Sequence, residues 1–260
     1  MLLILDVGNT HTVVGLAPID LNDGDLVRTW RLATAPERTG DELYLVVEQL
    51  LMTWNLSLSD GIEGIAISSG VPPVTAALRD MCDRYFHADP VVLGPGVKTG
   101  LPLHYDNPRE VGADRVANSV AALDLFGGPA VVVDFGTATT FDVVSAEGGY
   151  LGGAIFPGIE ISIEALARRA SALSTVELVA PRGVIGKSTT EAIQSGVIFG
   201  YSSMIDGMCR RFESEVGEAT VIATGGLAPT IAPHSEMIER EEPWLTLHGL
   251  RLIYERNTPE

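Results

Sequence analysis

The chain has 260 residues and a mass of 27.6 kDa, enough for one large domain or two modest ones and for a core that needs no disulfide or metal support. With 46% hydrophobic and 20% charged residues and a mean hydropathy of +0.23, its composition excludes a disordered chain. Seventeen Lys and Arg residues stand against thirty-four Asp and Glu residues, and the net charge of −17 disfavours general binding to nucleic acids or anionic membranes.

The first residues of the chain and its two cysteines indicate the cellular compartment in which the protein is expected. Residues 1–5 are too few for a signal peptide, and no run approaches the ~18 apolar residues of a spanning helix. Cys82 and Cys209 predict either two buried thiols in a reducing compartment or one long-range disulfide. We therefore expect a cytoplasmic protein with no membrane partner.

The first half of the chain alternates predicted strands and helices. Apolar residues 2–5 predict a strand that ends in a tight turn at residues 6–10, and β-branched residues predict a second strand at 12–16. The further predicted elements are strands at 26–32 and 62–68, helices at 39–54 and 72–85, and a helix that begins between 108 and 114 and ends near 126.

The second half repeats the opening of the first. After a Gly-Gly-Pro break, an apolar strand is predicted at residues 130–133 and an extended segment at 141–144. At an offset of 128 residues, Asp134 falls on Asp6, Gly136 on Gly8 and Thr140 on Thr12. A strand, an Asp-x-Gly turn and a second strand that recur at half the chain length predict an internal duplication. The predicted domains are residues 1–126 and 127–260.

The rest of the second half continues the alternation. The predicted elements are a strand at 150–156, helices at 159–169 and 188–216, a strand at 219–223, a short extended pair at Trp244 and Leu245, and a closing helix at 248–256. The long helix is expected to begin with a capping box, in which Ser188 and Glu191 each bind the other's backbone N–H.

The turn that begins at Asp6 offers a carboxylate, two short polar side chains and exposed backbone N–H groups. Gly8 allows a ligand to approach the backbone closely. Such a turn can wrap a polyphosphate, while Asp6 holds a divalent cation directly or through water. An ordinary hairpin turn is the alternative, which the second copy at residues 134–140 disfavours. Two such turns could grip one nucleotide between two domains.

A second candidate site is the run Gly112-Ala113-Asp114-Arg115, near a predicted helix start. Asp114 could accept the proton of an attacking hydroxyl, and Arg115 could bind a carboxylate or a phosphoryl oxygen through two hydrogen bonds. The alternative is a solvated helix face with an Asp that caps the helix.

Three further patterns give weaker signals. Residues 186–190 look like the end of a P-loop, but Pro181 stands where that motif has its first Gly, so only a helix start that could bind an anion or hydroxyl remains. Thr224-Gly225-Gly226 follows a predicted buried strand and could seat an adenine or ribose, or be a plain loop. The five histidines lack the spacing of a zinc site.

In combination these motifs resemble the type III pantothenate kinase family, in the superfamily of acetate and sugar kinases, heat-shock chaperone ATPases and actin. They occur in the family's order between residue 1 and about residue 255: Asp6-Val7-Gly8-Asn9-Thr10, Gly112-Ala113-Asp114-Arg115, Asp134-Phe135-Gly136-Thr137-Ala138-Thr139, residues 152–158 and Gly186-Lys187-Ser188-Thr189. A departure is Leu173-Ser174, where the family often has Leu-Pro. The implied fold is α/β, with two tandem ribonuclease H-like (actin-like ATPase) domains, each a mixed sheet flanked by helices.

The resemblance also implies a function. A homodimer would phosphorylate pantothenate with ATP, the first step of coenzyme A biosynthesis, and would need Mg²⁺ and a monovalent cation, K⁺ or NH₄⁺. The implied ATP contacts are Asp6, Val7, Gly8, Asn9, Thr10, His11, Thr12, Val13 and Thr137. The implied pantothenate contacts are Tyr105, Gly112, Ala113, Asp114, Arg115 and Thr189. Asp114 would be the catalytic proton acceptor, Asp134 would bind the monovalent cation, and Asp6 would bind Mg²⁺.

Two other functions stay open at the level of sequence. A regulatory or accessory protein without catalysis could use the same fold, and so could a different small-molecule kinase. The presence of Asp6, Asp114 and Asp134 argues against a degraded site. Residues 112–115 and Tyr105 favour pantothenate, by resemblance.

Overall fold

In a computed structural model that describes residues 1–19, 26–86, 89–169 and 176–258, the chain forms two five-stranded sheets with flanking helices. The strands are β1 (Leu2–Val7), β2 (His11–Ala17), β3 (Arg28–Ala33), β4 (Gly64–Ser69), β5 (Val91–Val92), β6 (Ala130–Phe135), β7 (Ala138–Val144), β8 (Tyr150–Pro157), β9 (Thr220–Thr224) and β10 (Arg240–Glu241). The α-helices are α1 (Gly40–Met52), α2 (Pro72–Met81), α3 (Ala113–Phe126), α4 (Ile159–Arg169), α5 (Thr189–Val216), α6 (Ala228–Ile231) and α7 (Leu245–Asn257).

The two sheets have the same topology. The first has the order β3-β2-β1-β4-β5, and the second has the corresponding order β8-β7-β6-β9-β10. In each sheet the three strands of the opening meander are antiparallel, and the other two strands are parallel to the first. The duplication predicted from the recurring Asp-x-Gly turns is therefore also present as a repeated topology.

The two opening hairpins differ by one residue in their turns. The last pair of the first hairpin is Val7 with Thr12, whereas the last pair of the second is Phe135 with Thr139. Four residues separate the first pair and three separate the second. The constant offset of 128 is therefore wrong beyond the turn, because Thr139, and not Thr140, takes the place of Thr12.

Each sheet buries one face under a pair of helices. In β1, Leu3, Leu5 and Val7 belong to a buried cluster with residues of α1 and α2. In β6, Val131, Val133 and Phe135 belong to a second cluster with residues of α4 and α5. Because side chains alternate along a strand, Asp6 and Asp134 point to the opposite face of their sheets.

Local sequence signals fix the starts of two helices. Thr39 caps α1 in a full capping box, since its hydroxyl accepts from the N–H of Glu42 and the Glu42 carboxylate accepts from the N–H of Thr39. The box predicted at Ser188 is only half formed. Its hydroxyl accepts from the N–H of Glu191, but the Glu191 carboxylate accepts from the N–H of Lys187 and from Arg182.

Several predicted elements need correction. The extended pair predicted at Trp244 and Leu245 is wrong, because Trp244 lies in a turn and Leu245 begins α7; the strand in this region is β10. The predicted helix over 72–85 is α-helical only to Met81 and continues as a π-helical turn. Leu173-Ser174 lies outside the described residues.

The two cysteines are buried free thiols, so the disulfide alternative is wrong. Burial raises the pKa of each thiol to about 12. Over the described part of the chain, no helix combines the length and the apolar character needed to cross a membrane.

The chain divides into two compact units. One contains Met1–Gly100, Asn107–Ala121 and Thr246–Glu260, and the other contains Leu101–Asp106 and Ala122–Leu245. The first unit thus holds the first sheet and most of α7, and the second unit holds the second sheet. The domain boundary placed between residues 126 and 127 stays a prediction.

Candidate functional site

The first predicted phosphate turn connects β1 to β2 in the first unit. The N–H of Gly8 donates to the carbonyl oxygen of His11 at 2.9 Å, which closes the turn. Residues 8–11 are exposed, whereas Val7 is buried in the core. The turn therefore presents its backbone and the side chains of Asn9, Thr10 and His11 to solvent, and Val7 can offer a ligand no more than its main chain.

Asp6 lies at the end of β1, directly before this turn, and is partly buried. Burial is the largest cause that raises its pKa from 3.8 to about 7, and the charge of Asp114 adds to the increase. A hydrogen bond with the buried Ser68 hydroxyl acts in the opposite direction. Ser68 is the partner of Asp6 in the parallel strand β4.

Asp114 and Arg115 lie in the first turn of α3. Asp114 is exposed, and its carboxylate accepts from the N–H of Arg115 at 2.8 Å. A Cβ atom on Gly112 would lie 2.5 Å from Asp114 Oδ1, so Gly112 makes room for this carboxylate. Arg115 is only 8% exposed. The fold thus brings Asp114 close to Asp6, although 107 residues separate them along the chain.

The second predicted phosphate turn connects β6 to β7 in the second unit, and glycines of other segments pack against it. Gly225 has a φ of +90°, and a Cβ atom there would lie 2.5 Å from Asp134 Oδ1. A Cβ atom on Gly158 would lie 2.0 Å from the carbonyl oxygen of Thr137 and 3.0 Å from that of Gly136. Asp134, Thr137 and the predicted nucleotide turn at Gly225 are therefore neighbours.

Tyr105 and Thr189, predicted to contact pantothenate, also lie in the second unit. The Tyr105 ring is 6.1 Å from the ring of buried Tyr150 and covers Gly152, where a Cβ atom would lie 3.2 Å from it. The hydroxyl of Tyr150 donates to Asp142 at 2.9 Å. Thr189 is the exposed first residue of α5, and no described contact joins it to the other predicted site residues of its unit.

The donor set around Asp6 is suited to a divalent cation. Two carboxylates that repel each other are relieved by a cation next to them, and Mg²⁺ prefers few protein carboxylates with phosphate and water as its other ligands. The described residues contain no cluster of three or more His, Cys, Asp or Glu side chains that could hold a metal by themselves. Gly225 packs against the carboxylate of Asp134.

Two residues beside the first turn were not predicted from the sequence. Ser68 touches Asp6, and Thr34 binds the turn: its hydroxyl donates to the carbonyl oxygen of Gly8 at 2.8 Å and its N–H donates to that of Thr10 at 3.0 Å. Ser68 ends a predicted buried strand, and a polar residue at that place was a usable signal. Thr34 follows β3 with no comparable signal, because its role depends on the pairing of β3 with β2.

Solved structures with low sequence identity share the fold. A Campylobacter jejuni protein assigned to the Baf family of transcriptional activators superposes with a TM-score of 0.61 at 20% identity, with 98% of each chain covered. An inorganic polyphosphate/ATP-glucomannokinase from an Arthrobacter species gives a TM-score of 0.51 at 12% identity, over 98% of this chain and 99% of that one. At these identities the likeness is one of fold alone.

Sequence relatives are much closer. A type III pantothenate kinase of Streptomyces avermitilis is 53% identical over 99% of this chain and 98% of its own length. A type III pantothenate kinase of Acidothermus cellulolyticus is 51% identical over the full length of both chains. The family model of type III pantothenate kinase matches residues 2–211, which include both phosphate turns, Asp114 and Thr189. The chain belongs to the type III pantothenate kinase family.

Proposed function

We propose that this protein transfers the γ-phosphoryl group of ATP to the terminal hydroxyl of pantothenate and so forms 4'-phosphopantothenate, the first step of coenzyme A biosynthesis. The observation that most supports this, beside the family, is the placement of Asp114 next to Asp6. The carboxylate proposed as proton acceptor acts electrostatically on Asp6, directly before the turn that would hold the phosphates. Phosphoryl transfer needs positioning and charge neutralisation more than covalent chemistry, and both are available here.

The residue roles follow the two turns. Residues 6–13 and Thr137 would hold ATP, and Tyr105, residues 112–115 and Thr189 would contact pantothenate. The hydroxyl oxygen of pantothenate attacks the γ-phosphorus, the bond from that phosphorus to the ADP oxygen breaks, and the hydroxyl proton moves to a carboxylate oxygen of Asp114. In a loose transition state this proton moves late.

Two cations would complete the site. A bound Mg²⁺ supplies charge neutralisation for the phosphates, and a monovalent cation does so at the second turn. We assign Asp6 to Mg²⁺, directly or through water, and Asp134 to K⁺ or NH₄⁺. Asp6 is supported by its place beside Asp114, and Asp134 by its place at the second turn.

The protein is further proposed to be a cytoplasmic homodimer that binds neither nucleic acid nor membrane. Large apolar side chains exposed on the second unit are what a homodimer interface would cover. Their exposed fractions are 66% for Ile155, 42% for Phe156, 45% for Ile161, 68% for Val184 and 85% for Ile185. Light scattering of the purified protein tests this proposal, and a monomer at micromolar concentration would contradict it.

A coupled assay of ADP release tests the activity. Pantothenate is compared with a panel of hydroxy acids and sugars at saturating ATP and Mg²⁺. Of the compounds in this panel, we expect only pantothenate to be phosphorylated. Turnover on another member of the panel would indicate a different kinase, and no turnover on any of them would favour the regulatory alternative.

The role of Asp114 is tested by Asp114→Asn, which removes the proton acceptor and keeps the shape of the side chain. We expect kcat to fall by ~10²-fold or more while the melting temperature does not fall. The matched control is Asp60→Asn, an exposed carboxylate at the other end of the first unit's β1, which should keep wild-type turnover. Near-normal kcat in folded Asp114→Asn would remove Asp114 from the role of base.

The assignment of Asp134 is tested by the dependence of the rate on monovalent cations. We expect turnover to require K⁺ or NH₄⁺ in addition to Mg²⁺, and Asp134→Ala to abolish that dependence. The measurement is the initial rate over a series of KCl, NH₄Cl and NaCl at constant ionic strength. A full rate in buffer with Na⁺ alone would contradict the proposal.

A further inference from the structure

We propose that Thr34 is a positioning residue for the phosphates of ATP, because it orients the backbone of the first phosphate turn. The inference rests on the proposed use of residues 6–13 to bind ATP. Thr34 lies outside that segment and outside the residues proposed to touch either substrate.

Thr34 makes three contacts with the turn and its flank. Its hydroxyl donates to the carbonyl oxygen of Gly8 at 2.8 Å, and its N–H donates to the carbonyl oxygen of Thr10 at 3.0 Å. Its hydroxyl oxygen is also 2.9 Å from the hydroxyl oxygen of Thr12. One residue thus holds two of the turn's carbonyl groups and the first residue of β2 that pairs with β1.

These contacts determine where two N–H groups of the turn point. A trans peptide is planar, and its C=O and N–H groups point in opposite directions. Since the carbonyl groups of Gly8 and Thr10 point towards Thr34, the N–H groups of Asn9 and His11 point away from it. Backbone N–H groups of an exposed turn are the donors that bind phosphate oxygens.

The direction of the protons follows from counting donors. A threonine hydroxyl has a single proton, and that of Thr34 is donated to Gly8. The contact between the two hydroxyls must therefore be a donation from Thr12 to Thr34. The result is a chain of hydrogen bonds from Thr12 through Thr34 to Gly8, in which each bond polarises the next. Thr12 is then a member of this support, and its hydroxyl proton is committed within the protein.

The second unit supports the inference through the residue at the equivalent place. Ala33 pairs with His11, and Pro157 pairs with Ala138, so the next residues, Thr34 and Gly158, are equivalent. Gly158 packs directly on the carbonyl groups of Gly136 and Thr137. In both hairpins the residue after the third strand thus contacts the carbonyl of the turn glycine, by a hydroxyl in the first and by close backbone packing in the second.

The test compares Thr34→Val, which has the same shape but no hydroxyl, with Thr34→Ser, which keeps it. For Thr34→Val we expect the KM for ATP to rise about 3- to 10-fold, the effect of one hydrogen bond, and the affinity for ADP measured by calorimetry to fall by a similar factor. The KM for pantothenate should stay at its wild-type value. Thr34→Ser should restore nucleotide affinity to within about 2-fold of the wild type.

The control variant is Thr29→Val, which makes the same change within β3, the strand that precedes Thr34, and away from the turn. It should alter none of these constants. Unchanged nucleotide affinity in Thr34→Val, an equal rise in both KM values, or a Thr34→Ser variant as weak as Thr34→Val would overturn the inference. Because ADP affinity is measured without pantothenate, the comparison still decides the role of Thr34 if the wild-type protein fails to phosphorylate pantothenate.

Discussion

The two phosphate turns share a topology and differ in how they are held. Thr34 holds the first with two hydrogen bonds, and its hydroxyl reaches the carbonyl of Gly8. The second turn packs against Gly158 so closely that a Cβ atom there would lie 2.0 Å from the carbonyl oxygen of Thr137. Side-chain donors can be removed without a clash, whereas a close backbone contact has no room for a larger residue.

Because of this difference, one buried hydroxyl in the second hairpin has no partner among the described residues. Thr139 takes the place of Thr12, and its hydroxyl is fully buried with no hydrogen-bond partner among the described residues. Thr12 donates its proton to the hydroxyl of Thr34, but the equivalent Gly158 has no hydroxyl. The second hairpin therefore has the hydroxyl donor without an acceptor at the equivalent place, and Gly158 leaves room for the chain to pack on the turn.

The largest expected effect comes from filling that room. Gly158→Ala places a methyl group against the carbonyl groups of Thr137 and Gly136, and the turn must move. We expect kcat/KM for ATP to fall by ~10²-fold or more, together with a lower melting temperature.

The matched change in the first turn is Gly8→Ala, whose methyl group would lie 3.1 Å from the carbonyl oxygen of His11. A small shift relieves this contact within the protein, so the melting temperature should fall less than in Gly158→Ala. Both variants are compared by steady-state kinetics and calorimetry. Equal falls in melting temperature would show that the two turns tolerate added atoms alike and would contradict the comparison.

A smaller effect is expected from the charge of Asp6, directly before the first turn. The pKa of Asp6 is raised from 3.8 to about 7 in the folded protein, chiefly by burial and then by Asp114. The native state therefore binds this proton more tightly than the unfolded chain does. The stabilisation of the folded state by this bound proton is fully present below pH 3.8. It is lost as the pH rises to about 7, and its size is on the order of a few kcal/mol in all.

The Asp6→Asn variant has no carboxyl group to ionise at this position and therefore avoids this loss of stability at high pH. In the absence of ATP and Mg²⁺ at pH 8, we expect Asp6→Asn to melt several degrees above the wild type, at ~2–4 °C per kcal/mol for a chain of about this size. At pH 4 the two should melt together. Asp114→Asn removes only the neighbouring charge, so its gain at pH 8 should be smaller. A wild type that gains stability from pH 4 to pH 8 relative to Asp6→Asn would reverse the assigned sign.

Local signals in the sequence predicted most of the fold. The apolar run before Asp6 predicted β1, and helical spacing placed α4 at its observed residues, 159–169. The strand β10 was missed because it is two exposed, charged residues that pair with β9 and have no apolar pattern. Such a strand forms because of its pairing partner and has no sequence pattern from which it could be predicted.

The same distinction separates the site residues that the sequence revealed from those it did not. An Asp-x-Gly turn after an apolar strand is local, so Asp6 and Asp134 stand out. Thr34 and Ser68 act through strand pairing, and no short window of sequence contains both them and the residues that they touch. The one-residue difference in turn length also escaped, since an overlay of sequences at constant offset cannot register it.

The smallest expected effect comes from Tyr201, whose hydroxyl contacts the segment behind the second turn. The hydroxyl oxygen of Tyr201 is 2.6 Å from that of Ser162, and Tyr201 donates to the carbonyl oxygen of Pro157 at 3.0 Å. Tyr201 thus holds the segment that places Gly158 on the turn. The ring also packs edge-on against Phe156, a contact that survives removal of the hydroxyl.

If close packing holds the second turn, Tyr201→Phe should affect the binding of ATP only indirectly. The loss of the two hydrogen bonds of this hydroxyl, ~1–3 kcal/mol in all, should lower the melting temperature by ~2–4 °C per kcal/mol and raise the KM for ATP no more than about 3-fold. Tyr44→Phe removes the hydroxyl of a tyrosine whose ring stacks on Tyr85 in the first unit, and it should leave the KM for ATP unchanged. A rise in KM as large as that of Thr34→Val would mean that the second turn also depends on a single hydroxyl, because packing against Gly158 alone would then be too weak to keep Thr137 in place.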